Sequence, residues 1–139
     1  MPEVKKERSG WRDLALNERH RQWGWDCPAV DLDCLFLEYD RGQPVAIVEY
    51  KNEHARIQHS CHPTYQALIN LGTRASIPVF ASRYSDDFSK WVVVPLNEFA
   101  KQHLAVKTTM TEREWVSFLY KIRGYVAPKQ LLDGLTVEV

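Results

Sequence analysis

Residues 45–48, Val-Ala-Ile-Val, run directly into Glu49-Tyr50-Lys51 and follow the turn-forming segment Asp40-Arg41-Gly42-Gln43. An apolar run this short, bounded by a turn, reads as a strand, and its nearly unbroken apolarity suits a central strand buried on both faces. Ahead of the turn, Asp31 through Tyr39 is rich in apolar and aromatic residues and reads as another strand. With Gly42 available for positive φ, the two form a short antiparallel hairpin. The hairpin sets the beginning of the first strand beside the end of the second.

The remaining elements follow from periodicity and capping. Ser9-Gly10 opens a helix expected from about Trp11 to Trp23, in which Trp11, Leu14, Glu18 and Gln22 share a stripe. An acid on an inward stripe is costly unless paired, and Arg12, His20 and Arg21 offer surface partners for Glu18. Gly24 to Pro28 breaks this helix. Beyond a polar, histidine-bearing connection, residues 62–74 read as a helix with Tyr65, Leu68, Ile69 and Gly72 on one face. Residues 78–84 and 91–96 read as two further strands. Asn97 caps a short helix to about His103, and Thr111-Glu112-Arg113-Glu114 is a capping box for a last helix ending near Gly124. The expected fold class is α/β: a mixed four- to five-stranded sheet flanked by helices. It forms a single domain over residues 1–139, with a core at about 11–97 and a C-terminal helical extension at about 98–139.

The chemistry sits in the hairpin. Glu49 and Lys51 alternate to the same face, and antiparallel pairing brings Asp33 next to them. Two carboxylates at one end of a sheet suit Mg²⁺, a hard cation that takes oxygen ligands and completes its shell with water and phosphate oxygens. Asp33 and Glu49 would supply the carboxylates, the Tyr50 carbonyl a third oxygen, and Mn²⁺ would substitute. Lys51 would orient or deprotonate a metal-bound water, or offset charge developing on a phosphate. Asp31 shares a face with Asp33; the apolar run begins right after Asp33, which favours it as the ligand, with Asp31 capping or assisting.

Asp33 followed by Cys-Leu-Phe-Leu, then Val45-Ala-Ile-Val-Glu49-Tyr-Lys51, resembles the PD-(D/E)XK nuclease superfamily, which includes restriction enzymes, Holliday-junction resolvases and phage exonucleases. The resemblance spans about residues 11–97 and implies a restriction-endonuclease-like core. It implies a Mg²⁺-dependent deoxyribonuclease with Asp33, Glu49 and Lys51 at its centre. The family often places a Glu on the preceding helix, matched by Glu18, and a Gln or Lys on the following one, matched by Gln66. One departure is Leu32, where the family's pattern has Pro.

Charge distribution is consistent with a cation site facing an anionic ligand. The net charge is zero, but residues 26–53 carry two bases against seven acids, between mildly basic flanks. Lys5, Lys6, Arg8, Arg12, Arg19 and Arg21 would contact phosphates or form a solvated helix face. Trp23 and Trp25 would flank a substrate, whereas Trp91 and Trp115 belong to a core. His54, His59, Cys61 and His62 lack the paired spacing of a structural zinc site. Cys27, Cys34 and Cys61 read as reduced thiols, mostly buried. No run of about 18 apolar residues is present and the charged N-terminus lacks an apolar leader, so the expected location is cytoplasmic.

A chain of this size is expected to carry no separate sequence-reading domain. The expected partner is DNA, recognised by its structure or through a recruiting protein, with a homodimer or two binding events called for to cut both strands. A phage or mobile-element setting is an analogy with small members of the superfamily. The competing expectation is a non-catalytic nucleic-acid-binding or assembly module that retains the fold.

Overall fold

A computed structural model describes residues 14–24, 26, 28–30, 32–56 and 61–135. The chain divides into two compact units, Met1–Asp31 and Leu32–Val139. The first contains helix α1 (Leu14–Gln22). The expected start of this helix at Trp11 lies outside the described residues, as do Lys5, Lys6, Arg8 and Arg12. Every described side chain of α1 is exposed, Leu14 and Glu18 included. Glu18 makes the surface ion pair with Arg21, at 3.4 Å. Trp23 is exposed and packs its ring against His20, while Trp25 and Asp31 are outside the described residues.

The second unit is built on a mixed five-stranded sheet in chain order. Its strands are β1 (Cys34–Glu38), β2 (Gln43–Asn52), β3 (Val79–Tyr84), β4 (Trp91–Pro95) and β5 (Thr108–Met110). β1 and β2 form the expected antiparallel hairpin, turning through a 3₁₀ segment at Tyr39–Arg41 with Gly42 at φ 61°. A register irregularity between Phe36 and Leu37 skips Val45, next to Pro44, a residue that cannot donate to a ladder. β2 and β3 run parallel because helix α2 (Pro63–Ala75) carries the chain back between them. β3–β4 and β4–β5 are antiparallel.

Residues 46–49 are buried without a break, as a strand covered on both faces requires. On one face, Val48, Phe80, Trp91 and Val93 pack with Trp115 and Phe118 of helix α4 (Glu112–Ile122). Tyr50 meets Tyr84, Trp91 and Trp115 edge-on in the same layer. Trp115 is 2 % exposed, so Trp115→Ala is expected to cost about 3–5 kcal/mol. The residues expected as an extension outside the core thus contribute to it: β5 closes the sheet and α4 covers it. Two short helices, α3 (Glu98–Lys101) and α5 (Lys129–Asp133), complete the unit.

On the opposite face, Ile47 and Val79 pack with Leu68 of α2 and with Ile77. Here α2 approaches closely, because Gly72 has no side chain: a Cβ there would lie 2.2 Å from Val79 Cγ2. Buried Asn97 fixes the same junction. Its amide oxygen accepts from the N–H of Val79 and of Ala100, and its amide nitrogen donates to the Ile77 carbonyl.

Cys34 is half-buried against the α4-side core, but Cys61 is exposed, contrary to the expectation of burial, because it lies in the polar connection before α2. Neither is in a disulfide; Cys27 is outside the described residues. No helix among the described residues is long and apolar enough to cross a membrane.

Candidate functional site

Alternation along β2 sends Val48 and Tyr50 into the aromatic layer under α4, and Ile47, Glu49 and Lys51 to the α2 side. Tyr50 therefore anchors the strand in the core between the two residues that carry charge. Asp33, just ahead of β1, bonds to this strand end: its Oδ2 accepts from the Tyr50 N–H at 3.1 Å. In an antiparallel pair, a residue's N–H and carbonyl point toward the same neighbour. The Tyr50 carbonyl accordingly faces the side from which Asp33 approaches.

Glu49 is 4 % exposed. Its Oε1 lies 3.5 Å from Lys51 Nζ, an ion-pair contact longer than a good hydrogen bond. Its Oε2 is buried and has no hydrogen-bond partner among the described residues. Burial and, next, the neighbouring Asp33 carboxyl push the Glu49 carboxyl up to about 7, against the smaller opposing pull of Lys51. A buried carboxylate with one unmet oxygen beside a second carboxylate is a strained arrangement that a divalent cation relieves. The donor set, all oxygen and doubly acidic, fits Mg²⁺ or Mn²⁺.

Asp33, Glu49, Tyr50 and Lys51 thus come together at one end of the sheet. Gln66 is on the exposed side of α2, donating its backbone N–H to the His62 carbonyl. Its neighbour Tyr65 turns inward instead. That phenol is 7 % exposed; burial raises its pKa, and the charges of Lys51, Glu49, Arg83 and Asp33 act on it. The sequence places Tyr65 on an apolar stripe, where an aromatic reads as core, so its neighbourhood could not be foreseen. Glu18 belongs to the first unit, where Arg21 is its partner.

The histidines have local duties. His62 caps α2 by accepting from the Thr64 N–H at 3.3 Å. His54 Nε2 lies 2.8 Å from Asp86 Oδ2. The Asp86 carboxylate also accepts from Asn52, and its N–H donates to the Glu53 carboxylate. This exposed Glu53–His54–Asp86 group knits the loop after β2 to the β3–β4 turn; among the described residues, His54, Cys61 and His62 do not form a ligand set together. His59 is outside the described residues.

One further feature adjoins the acidic pair. A cavity of about 260 Å³ opens beyond Lys51, and Arg56, Arg83 and Lys107 also line it. Comparison of the chain with protein-family models, curated proteins and solved structures gave no match.

Proposed function

We propose that this protein is a Mg²⁺-dependent deoxyribonuclease of the PD-(D/E)XK type, hydrolysing DNA phosphodiester bonds at the site formed by Asp33, Glu49 and Lys51. The observation that carries the reading is the convergence of two carboxylates and a lysine at one sheet end, with Glu49 Oε2 buried and unmet. Most buried polar groups are hydrogen-bonded, so an unmet carboxylate oxygen calls for an explanation, and a bound cation supplies one. Asp33 and Glu49 would hold the metal, with the Tyr50 carbonyl as a third oxygen. Bound there, Mg²⁺ would polarise a phosphate oxygen and acidify a coordinated water.

The chain's own groups have distinct parts. Lys51, about one-third exposed, is close enough to the carboxylates to orient an attacking water and cationic enough to offset charge on the phosphate. Tyr65 walls the site from α2 and limits access of bulk water. Tyr50 holds the strand end in register by its ring in the core. Glu18 and Gln66 are assigned assisting roles by the family resemblance alone. Cutting both strands would call for a homodimer or two binding events, and a recruiting partner would supply recognition.

The test is cleavage of labelled single-stranded, duplex and branched DNA with Mg²⁺, Mn²⁺ or EDTA, comparing wild type with Asp33→Asn and Lys51→Ala. Metal-dependent cutting lost in both variants is the expected result. No cutting of any substrate, with DNA bound equally by all three proteins, would replace this reading by a non-catalytic binding or assembly module.

A further inference from the structure

The cavity beyond Lys51 has a construction of its own. Its floor is sheet that α2 leaves partly open. Glu49, Ala81 and Val94 lie opposite one another across β2, β3 and β4, as do Lys51, Arg83 and Val92. Opposed residues share a face. Two cross-strand rows therefore run from Glu49 and Lys51 into the cavity, which Ala81, Val92 and Val94 line. Tyr65 is part of the wall. Four cations, Lys51, Arg56, Arg83 and Lys107, line the same space, and among the described residues no carboxylate does.

The cationic rim is braced. The Arg83 guanidinium donates to the carbonyls of Glu53 and Ala55, fixing the loop that carries Arg56. Arg83 is thus a positioning residue for the rim, while Arg56 and Lys107 present charge to solvent. An apolar ligand would have no use for four cations, and a bare anion none for an apolar floor. A nucleotide has both parts: a flat base that gains from apolar and aromatic contact, and phosphates that gain from lysine and arginine. At about 260 Å³ the space lies just below the usual range for ligand sites, so it takes at most one nucleotide's base and not a stacked base pair. A base enters such a concavity only when it is already unpaired or is taken out of the stack, and unpairing costs least at single strands, ends and mismatches.

We propose that this cavity receives one unpaired nucleotide of a DNA strand, its base on the Ala81–Val92–Val94 floor and its flanking phosphates on Lys51, Arg56 and Lys107. The proposal rests on the nuclease reading for what happens at the carboxylates and names the substrate: single-stranded or frayed DNA, delivered to the acidic pair by its neighbouring nucleotide. Lys51 is the shared residue, paired with Glu49 on one side and lining the cavity on the other.

The test reads binding in EDTA, where metal-dependent cleavage cannot occur. Anisotropy of the full chain with a labelled oligo(dT), and with the same strand annealed to oligo(dA), is measured across a salt series. Wild type is expected to prefer the single strand by about tenfold or more, a difference of about 1.4 kcal/mol. The double variant Arg56→Glu, Lys107→Glu should weaken single-strand binding more than tenfold. It should also flatten the salt dependence by about 1.4 in logarithmic slope, the release expected for two phosphates at about 0.7 each. Val94→Trp fills the floor and should remove the preference for single strands; should it not fold, the double variant decides alone. Equal or better binding of duplex by wild type, or unchanged single-strand affinity in the double variant, overturns the proposal. Mn²⁺ binding followed by electron paramagnetic resonance separates the two readings. If Glu49→Gln binds Mn²⁺ as wild type does, the metal assignment fails while the cavity result stands.

Discussion

Glu38 and Glu49 are the same residue type, on the same hairpin, and both are buried, at 8 % and 4 % exposure. They are nevertheless in opposite states. Glu38 ends β1 beside Arg123, which donates to its carboxylate at 3.2 Å and holds its pKa below the usual value. Arg123 in turn lies over the Tyr125 ring. Glu49 ends up beside another carboxylate and a loosely placed lysine, and its pKa is driven upward. Burial alone does not distinguish a structural acid from a working one. What distinguishes them is whether the partner set is complete: the tie between Glu38 and Arg123 joins β1 to the segment after α4, whereas Glu49 is held where another positive charge is still wanted.

The largest expected effect tests that contrast in activity. Under the proposed function, Glu49→Gln and Asp33→Asn should each lower metal-dependent cleavage by on the order of 10³-fold in single-turnover assays. Glu38→Gln should leave the rate per folded molecule within about twofold, since Glu38 ends β1 at the turn, away from the proposed metal ligands. Equal losses in Glu38→Gln and Glu49→Gln would mean that the two acids share one role, and the comparison would collapse.

Stability should invert the ranking. In EDTA at pH 8, Glu49→Gln removes an under-paired buried charge and is expected to raise the melting temperature by a few degrees. Glu38→Gln leaves Arg123 without its carboxylate and is expected to lower it. Differential scanning fluorimetry on proteins purified in parallel reads both signs. A fall in melting temperature for Glu49→Gln would show that the acid is satisfied in the metal-free protein after all.

How much of this was legible beforehand depends on how local each signal is. The hairpin, a strand over residues 44–51 (observed as Gln43–Asn52) and the arrival of Asp33 at the end of that strand, where it bonds the Tyr50 N–H, follow from one apolar run and a turn, because a buried strand has a two-residue period and an end. Asn97 and the Thr111–Glu114 capping box were legible because caps are built from neighbouring residues. Thr108–Met110 was not legible, since three residues carry no periodicity. Glu38 finds Arg123 eighty-five positions away, and no spacing rule reaches that far. The cations of the cavity come from β2, the loop after it, β3 and the approach to β5, so only the assembled sheet brings Lys51, Arg56, Arg83 and Lys107 together. Glu18, placed by periodicity on a stripe with Leu14, is exposed and pairs with Arg21, one of the surface partners that the helix sequence offers.

The pH dependence sharpens the comparison further. A group whose pKa in the folded state is raised, from 4.5 to about 7 for Glu49, binds its proton more tightly folded than unfolded. Its contribution is fully present below pH 4.5 and is lost as pH rises toward and through 7. The Glu49 contribution to metal-free stability should therefore decline over that window, and the decline should vanish in Glu49→Gln. Glu38, with its pKa lowered, contributes in the other direction: its stabilisation is lost only as pH falls through its folded-state value. Melting curves in EDTA at half-unit steps would separate the two slopes.

The smallest expected effect concerns Lys51. If Glu49 is a metal ligand as proposed, metal binding requires it to lose its proton, so Mn²⁺ affinity should climb with pH through about 7 and level off above it. Lys51 opposes the upward push on Glu49 but ranks behind burial and Asp33 among its causes. Lys51→Met keeps the length of the side chain and removes its charge. It should move the midpoint of Mn²⁺ binding to higher pH by a fraction of a unit, while the affinity reached at high pH changes little or improves. Catalysis should fall far more than binding, because the ammonium would act on water and phosphate more than on the metal ligands. A large loss of high-pH Mn²⁺ affinity in Lys51→Met would instead make Lys51 the group that holds Glu49 in place. Glu49 would then resemble Glu38, an acid defined by its cation partner.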